Sequence, residues 1–182
     1  TLVPNAAQPL SLSFGAIGNM AGNEMLLIRG SNLGQTPGPG VANVYAIGLN
    51  QIAGGGQGAG TPTMYLRGGY IADTSATGSG SGFATYSPVT GFRPLTDAEL
   101  APGLFRPIGG ANTNIAMTAA QVTGTQSVST LTMKAGGRVV PISNAVTLTL
   151  GTGGQGGVLA LANAAGSFTG GLISIATQSW FS

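Results

Sequence analysis

The acidic side chains are the first candidates for chemistry in this sequence, since two facing carboxylates can act as general acid and base. The 182 residues include only four of them, Glu24, Asp73, Asp97 and Glu99. Thr96, Asp97 and Glu99 fit a capping-box pattern, in which acidic residues stabilise the first helical turn. This spacing favours a structural role for Asp97 and Glu99, while Glu24 and Asp73 fit loop or salt-bridge positions.

Cysteine and histidine are absent from the sequence. Their absence excludes a nucleophilic cysteine, a Cys/His zinc site, a Ser-His-Asp triad and a disulfide framework. The glycine-rich turns also lack the aspartates with which some repeat proteins bind Ca²⁺. We therefore predict a protein that is not an enzyme and that uses neither a metal ion nor another cofactor.

One segment, residues 151–156, matches the G-x-G-x-x-G fingerprint of dinucleotide-binding proteins. That chemistry needs a helix after the glycines, and an acidic residue about 20 positions further on to bind the ribose. No acidic residue follows Glu99, and 33 of the residues are glycine, so chance matches are common. The segment is predicted to be a turn.

The chain carries little charge, with six Lys and Arg residues against four Asp and Glu. Six dispersed cations cannot form the phosphate-neutralising surface of a nucleic-acid binder. The uncharged residues 139–182 contain no run of about 18–20 apolar residues, so we expect no membrane-spanning helix. Near-zero net charge favours association, which predicts a part of a larger assembly. The absence of thiols is compatible with a secreted protein.

The elements that position these residues are predicted to be strands. Apolar residues alternate with Ser or Thr in several short segments, and glycine-dense turns separate them. A further apolar run, residues 25–28, has the character of a strand buried on both faces. The predicted strands are residues 10–14, 25–28, 44–49, 64–66, 131–133, 146–150 and 173–175. The sequence therefore predicts an all-β protein.

The two parts of the chain differ in composition. Residues 1–110 contain all four tyrosines and most of the charge, and form a strand-and-loop segment with a short helical turn near residues 96–101. Residues 111–182 contain short Thr-rich strands at irregular spacing. Both a parallel β-solenoid and an antiparallel β-sandwich have this spacing, and the pattern does not separate them.

The second part of the chain resembles the autotransporter-associated β-strand repeat of long bacterial surface and secreted proteins. The resemblance depends on an ordered series of strands and glycine corners, at residues 114–119, 127–133, 145–150, 157–160 and 170–173. Residues 26–34, 73–86 and 91–100 resemble the segments that join one repeat block to the next. The resemblance implies a right-handed parallel β-helix displayed outside the cell or at its surface, with a structural or adhesive role.

Two functions follow from these patterns, and both remain open at this stage. In the first, the chain is a building block of a fibre, stalk or filament, and its partners are copies of itself or adjacent repeats of a longer chain. Trp180 and Phe181 then either cover an open end or dock on a neighbour. In the second, the chain is a lectin-like or capsid-like β-sandwich that binds surface glycans, with Tyr65 and Tyr70 as contacts.

Overall fold

The computed structural model describes residues 1–15, 17, 25–47, 60–66, 68–102, 113–141, 143–151, 156–161, 164, 172–175 and 179–181. In this part of the chain, regular secondary structure consists of strands and one 3-10 turn, so the prediction of an all-β protein is confirmed. Across the same residues, the structure contains no helix with the length and apolar character needed to cross a bilayer.

The chain divides into two compact units. Unit 1 consists of Thr1–Ala59 with Tyr65–Leu95, and unit 2 consists of Gly60–Met64 with Thr96–Ser182. The short segment Gly60–Met64 therefore belongs to the unit formed mainly by later residues. The domain boundary predicted at residues 110–111 lies outside the described residues.

The described residues of unit 1 form six strands: β1 (Leu10–Phe14), β2 (Leu26–Arg29), β3 (Ala42–Ala46), β4 (Tyr70–Asp73), β5 (Gly82–Ser87) and β6 (Gly91–Pro94). Strand β1 pairs in parallel with β3, and β2 pairs in parallel with β4. Strands β4, β5 and β6 continue the second sheet in antiparallel order. Unit 1 thus combines two short parallel pairs with two antiparallel pairs, β4-β5 and β5-β6.

Aromatic rings fill the core of unit 1. The rings of Tyr70 and Phe92 stack with their centroids 5.8 Å apart. The rings of Tyr86 and Phe92 pack edge to face, with their centroids 5.0 Å apart. All three side chains are buried among small and aliphatic residues that include Ala72 and Val44. Offset and edge-to-face contacts of this kind add to the free energy gained from burying the rings.

Strand β2 differs from the sequence prediction. Leu26 and Leu27 are 36% and 37% exposed, and only Ile28 is buried. The prediction of a strand buried on both faces was therefore wrong. An apolar run indicates only that burial is favourable, and does not determine how many neighbours the strand has. Strand β2 pairs with β4 along one edge and, among the described residues, with Leu2 alone on the other side.

In the part of unit 2 that the structure describes there are ten short strands: β7 (Ala101–Pro102), β8 (Asn114–Met117), β9 (Ala120–Thr123), β10 (Gln126–Val128), β11 (Thr130–Met133), β12 (Arg138–Pro141), β13 (Thr147–Leu150), β14 (Gly156–Ala160), β15 (Leu172–Ile175) and β16 (Ser179–Phe181). They form three sheets, with strand orders β16-β14-β11-β8-β7, β10-β13-β15 and β12-β9. Every strand pair described in unit 2 is parallel.

The register of the parallel pairs aligns like residues from strand to strand. Ile115 pairs with Leu131, Leu131 with Val158, and Val158 with Phe181. The side chains of Ile115, Leu131 and Val158 are all buried in the core of unit 2. A second column contains Val128, Leu150 and Ile175, in successive strands of another sheet.

The segment with the dinucleotide-binding fingerprint connects two strands. It begins at Gly151, directly after β13, and β14 begins at Gly156. Gly151 has φ of 78°, a conformation that side chains disfavour and that suits a sharp corner. The segment therefore does not open a helix, which dinucleotide binding requires, and residues 152–155 lie outside the described residues.

Candidate assembly surface

The carboxylate of Glu99 has a structural environment in unit 2. The side chain is buried, and its two oxygens accept the backbone N–H groups of Thr96 at 2.9 Å and Gly60 at 3.1 Å. The 3-10 turn that carries it spans Asp97–Glu99. Asp97 is exposed at the surface and accepts a hydrogen bond from the ammonium group of Lys134 at 2.7 Å. Glu99 thus joins the turn to the segment Gly60–Met64.

We expect Glu99→Ala to lower the free energy of unfolding of unit 2 by about 2–4 kcal/mol, because two backbone N–H groups lose their hydrogen bonds to a charged acceptor whose side chain is buried. Asp97→Ala is the matched control and should cost less than about 1 kcal/mol, since it removes only an exposed ion pair. Chemical denaturation followed by the fluorescence of Trp180, the single tryptophan and a unit 2 residue, measures both. Equal losses in the two variants would contradict the role of Glu99.

Asp73 closes a loop in unit 1. Its carboxylate accepts the backbone N–H groups of Ser75 and Gly80, each at 2.8 Å. The neighbouring strand residue, Arg29, donates to the carbonyl oxygen of Gly78 at 2.9 Å and to the hydroxyl of Thr1 at 2.6 Å. Asp73 is the last residue of β4 and not a loop residue, and its carboxylate holds the loop that follows the strand. Glu24 lies outside the described residues.

The two tyrosines predicted to contact glycans do not form an exposed pair of rings. Tyr70 is only 1% exposed and is stacked on Phe92 in the core, while Tyr65 is half-buried against the same core. Sugar stacking needs an accessible ring face, so the burial of Tyr70 does not favour this role. Glycan binding stays a prediction.

Tyr45 lies on the outer face of β3 and is partly exposed. Its hydroxyl donates to the carbonyl oxygen of Val89 at 3.1 Å. Burial raises the pKa of the Tyr45 phenol above its usual value, and the nearby phenol of Tyr86 adds to the rise. The group is therefore neutral at physiological pH and acts here as a hydrogen-bond donor.

Unit 1 has a large open apolar surface, which we call the apolar groove. The groove has a volume of about 390 Å³. It is lined by Leu12 and Phe14 of β1, by β2, by Val44 of β3, and by Leu2 and Ile17. Leu12 and Phe14 are 38% and 43% exposed, although the alternation of β1 directs both toward the interior face. Arg29 is the only charged side chain among the lining residues.

The backbone of β1 has one free edge. Leu10 donates its N–H to Val41, and Phe14 accepts from Ile47, so these residues bond toward β3. Successive strand residues direct their backbone groups to opposite sides, which leaves those of Ser11 and Ser13 directed away from β3. Among the described strands none pairs with this edge. An unpaired edge of this kind is a template for another strand.

Strand β2 has a partly free edge beside the same groove. Leu2 covers its end, donating to Arg29 at 3.0 Å and accepting from Ser31 at 3.2 Å. The remaining outer edge of β2, at Leu27, has no strand partner in the described part of unit 1. The apolar groove is therefore lined by residues of two strands, β1 and β2, and each strand has a free or partly free edge among the described residues.

Unit 2 also ends in strands with one described neighbour each. Strand β15 pairs with β13, and β16 pairs with β14. Trp180 and Phe181, the predicted assembly contacts, belong to β16 and stand in register with Gly157 and Val158. The backbone thus places both residues at the last described strand of their sheet.

Comparison of the chain with family models, with curated proteins and with solved structures finds no match. The resemblance to the autotransporter-associated repeat therefore stays a prediction. Sequence reasoning predicted the strand β1 but not the apolar groove, and Leu12 and Phe14 are exposed instead of buried. The alternation of Leu12 and Phe14 indicates one apolar face of the strand. Whether another strand covers that face depends on pairing partners, which this local pattern does not identify.

Proposed function

We propose that this protein is a non-enzymatic structural building block whose copies assemble end to end by β-stacking. The observation that carries the proposal is the apolar groove of unit 1, which lies between the free edge of β1 and the open part of β2. Such a surface loses unfavourable contact with water, and gains backbone hydrogen bonds, when a further strand covers it. The proposal includes an extracellular or cell-surface fibre or stalk as the setting.

We further propose that unit 2 is a right-handed parallel β-helix. Its support is the parallel register, in which one apolar column recurs at residues 115, 131, 158 and 181 and another at residues 128, 150 and 175. A polar column stands beside the first, where buried Thr130 donates to the side chain of Asn114 at 2.9 Å. Stacked rungs of this kind depend on their neighbours, so an end rung is stabilised by another copy.

The low charge of the chain supports the same function. Natural edge strands are often protected from association by charged residues or proline. The sequence of β1 is LSLSF, without either. With six cations and four anions in all, little electrostatic repulsion opposes contact between copies.

We expect Leu12→Lys to abolish self-association, because the ammonium group would lie in the apolar groove and lose its water on contact with a second copy. Val89→Lys is the matched control, since Val89 is 67% exposed in the hairpin turn and outside the groove. Sedimentation velocity over a range of concentrations measures both, with circular dichroism to confirm an unchanged fold.

The expected result is large, concentration-dependent species for the wild type and for Val89→Lys, and a monomer for Leu12→Lys. A wild-type chain that stays monomeric at every concentration would contradict the proposed function. Assembly of Leu12→Lys equal to that of the wild type would show that the groove is not the contact.

A further inference from the structure

We infer that the free edge of β1 in one copy pairs in parallel with β15 of a second copy. The inference rests on the proposed function and specifies its contact. It commits to one partner for the free edge of β1, the strand Leu172–Ile175, among the several strands that the chain offers. The residue pattern, the register and the alignment of the existing strand pairs support this choice.

The residue patterns of the two strands match position by position. β1 has Leu12, Ser13 and Phe14 in succession, and β15 has Ile173, Ser174 and Ile175. Leu12 and Phe14 are the exposed apolar residues of β1, so a strand that covers them must present apolar residues at two alternate positions. The sequence of β15 has apolar residues at two alternate positions with serine between them, as the sequence of β1 has.

The length of β15 selects one register. When Ser174 is opposite Ser13, all four residues of β15 face residues of β1, because Leu172 is then opposite Ser11. A shift of two residues, with Ser174 opposite Ser11, would place Leu172 opposite Pro9, outside the strand. Shifts of one residue would place Ser174 on the apolar face and the isoleucines on the serine face.

The existing pairs continue through this contact. In unit 2, Leu148 and Leu150 of β13 are in register with Ile173 and Ile175. In unit 1, Leu12 and Phe14 are in register with Val44 and Ala46 of β3. The proposed pair therefore joins two aligned columns into the continuous order β13-β15-β1-β3, with every strand parallel.

The contact is heterologous, because the edge used on one copy differs from the edge used on the next. The pair of copies therefore keeps one free edge of each kind, the β15 edge of one copy and the β1 edge of the other. A contact of this type generates an open chain of copies when its rotation does not close a ring. Neither β1 nor β15 contains a charged residue that would oppose the pairing.

The test uses disulfide cross-linking between engineered cysteines, for which the thiol-free chain provides a clean background. In the proposed register the Cα atoms of Ser13 and Ser174 lie about 5 Å apart, within the range that a disulfide spans. The double variant Ser13→Cys with Ser174→Cys is oxidised in its assembled form and separated by mass under denaturing, non-reducing conditions. The control combines Ser174→Cys with Ser79→Cys, an exposed loop position of unit 1.

The expected result is a ladder of covalent dimers, trimers and longer species that is at least tenfold more abundant in the first variant than in the control. Sedimentation before oxidation establishes whether each variant assembles. Assembly without the ladder, or with equal ladders in both variants, overturns the β1–β15 pairing and leaves the proposed function standing. Absence of assembly in the wild type overturns both.

Discussion

Replacing Leu131 by alanine is expected to lower the free energy of unfolding of unit 2 by about 2–5 kcal/mol, the range found for buried leucines that leave a cavity. Leu131 is 0% exposed and stands between Ile115 and Val158 in the central column of its sheet. Its neighbours on both sides are fixed by strand pairing, so the column cannot close over the missing atoms. The shift is measured by denaturation with Trp180 fluorescence, which reports unit 2.

Leu27→Ala is the matched control, because it removes the same atoms from a side chain that is 37% exposed on β2. Its effect on unit 1 should stay below about 1 kcal/mol, since little apolar area is returned to water. All four tyrosines belong to unit 1, so tyrosine fluorescence follows its unfolding. A loss for Leu131→Ala no greater than that for Leu27→Ala would contradict the packed column in unit 2.

Gly91→Ala is expected to destabilise unit 1 by about 3 kcal/mol or more, through positive-φ strain together with a steric collision. Gly91 has φ of 74° at the start of β6, and an added Cβ would collide with the carbonyl oxygen of Val44. That carbonyl belongs to the backbone of β3, which cannot move without disturbing its pairing with β1. The measurement is the denaturation midpoint followed by tyrosine fluorescence.

Gly60→Ala separates the two causes. Gly60 has φ of 76°, nearly the same as Gly91, but an added Cβ there meets no atom within 4 Å. Its substitution should therefore cost only the conformational strain, about 1–2 kcal/mol. If the two alanine variants lose equal stability, the close approach of the β5–β6 hairpin to β3 is not a determinant of the fold.

Local features of the fold were predictable from the sequence. Leu10–Phe14 alternates strictly and is observed as a strand with the predicted bounds. The strands predicted at residues 131–133 and 146–150 are found within one residue of those bounds. Alternation and turn glycines act over neighbouring residues, so a single sequence contains the information that sets them.

Long-range features were not predictable in the same way. The hairpin of β5 and β6 contributes Tyr86 and Phe92 to the aromatic core, where Phe92 stacks on Tyr70 of β4. The assignment of Gly60–Met64 to unit 2 depends on its hydrogen bond to Glu99, 39 residues away. Such contacts link segments whose local sequence does not identify the partner.

The apolar groove shows the same limit at the candidate site. The strand pattern of β1 determines which face is apolar, but exposure depends on whether another strand covers that face. The sequence of β2 was even misleading, since its continuous apolar run indicated burial and two of its leucines are exposed.

The central claim is that rungs of strands continue from one copy to the next. Electron microscopy of the purified, assembled chain, with the Fourier transform of straight segments, tests it most directly. The account predicts unbranched rods with a meridional repeat of about 4.8 Å, the spacing between neighbouring strands. Compact single particles at every concentration, or rods without this axial repeat, would contradict it.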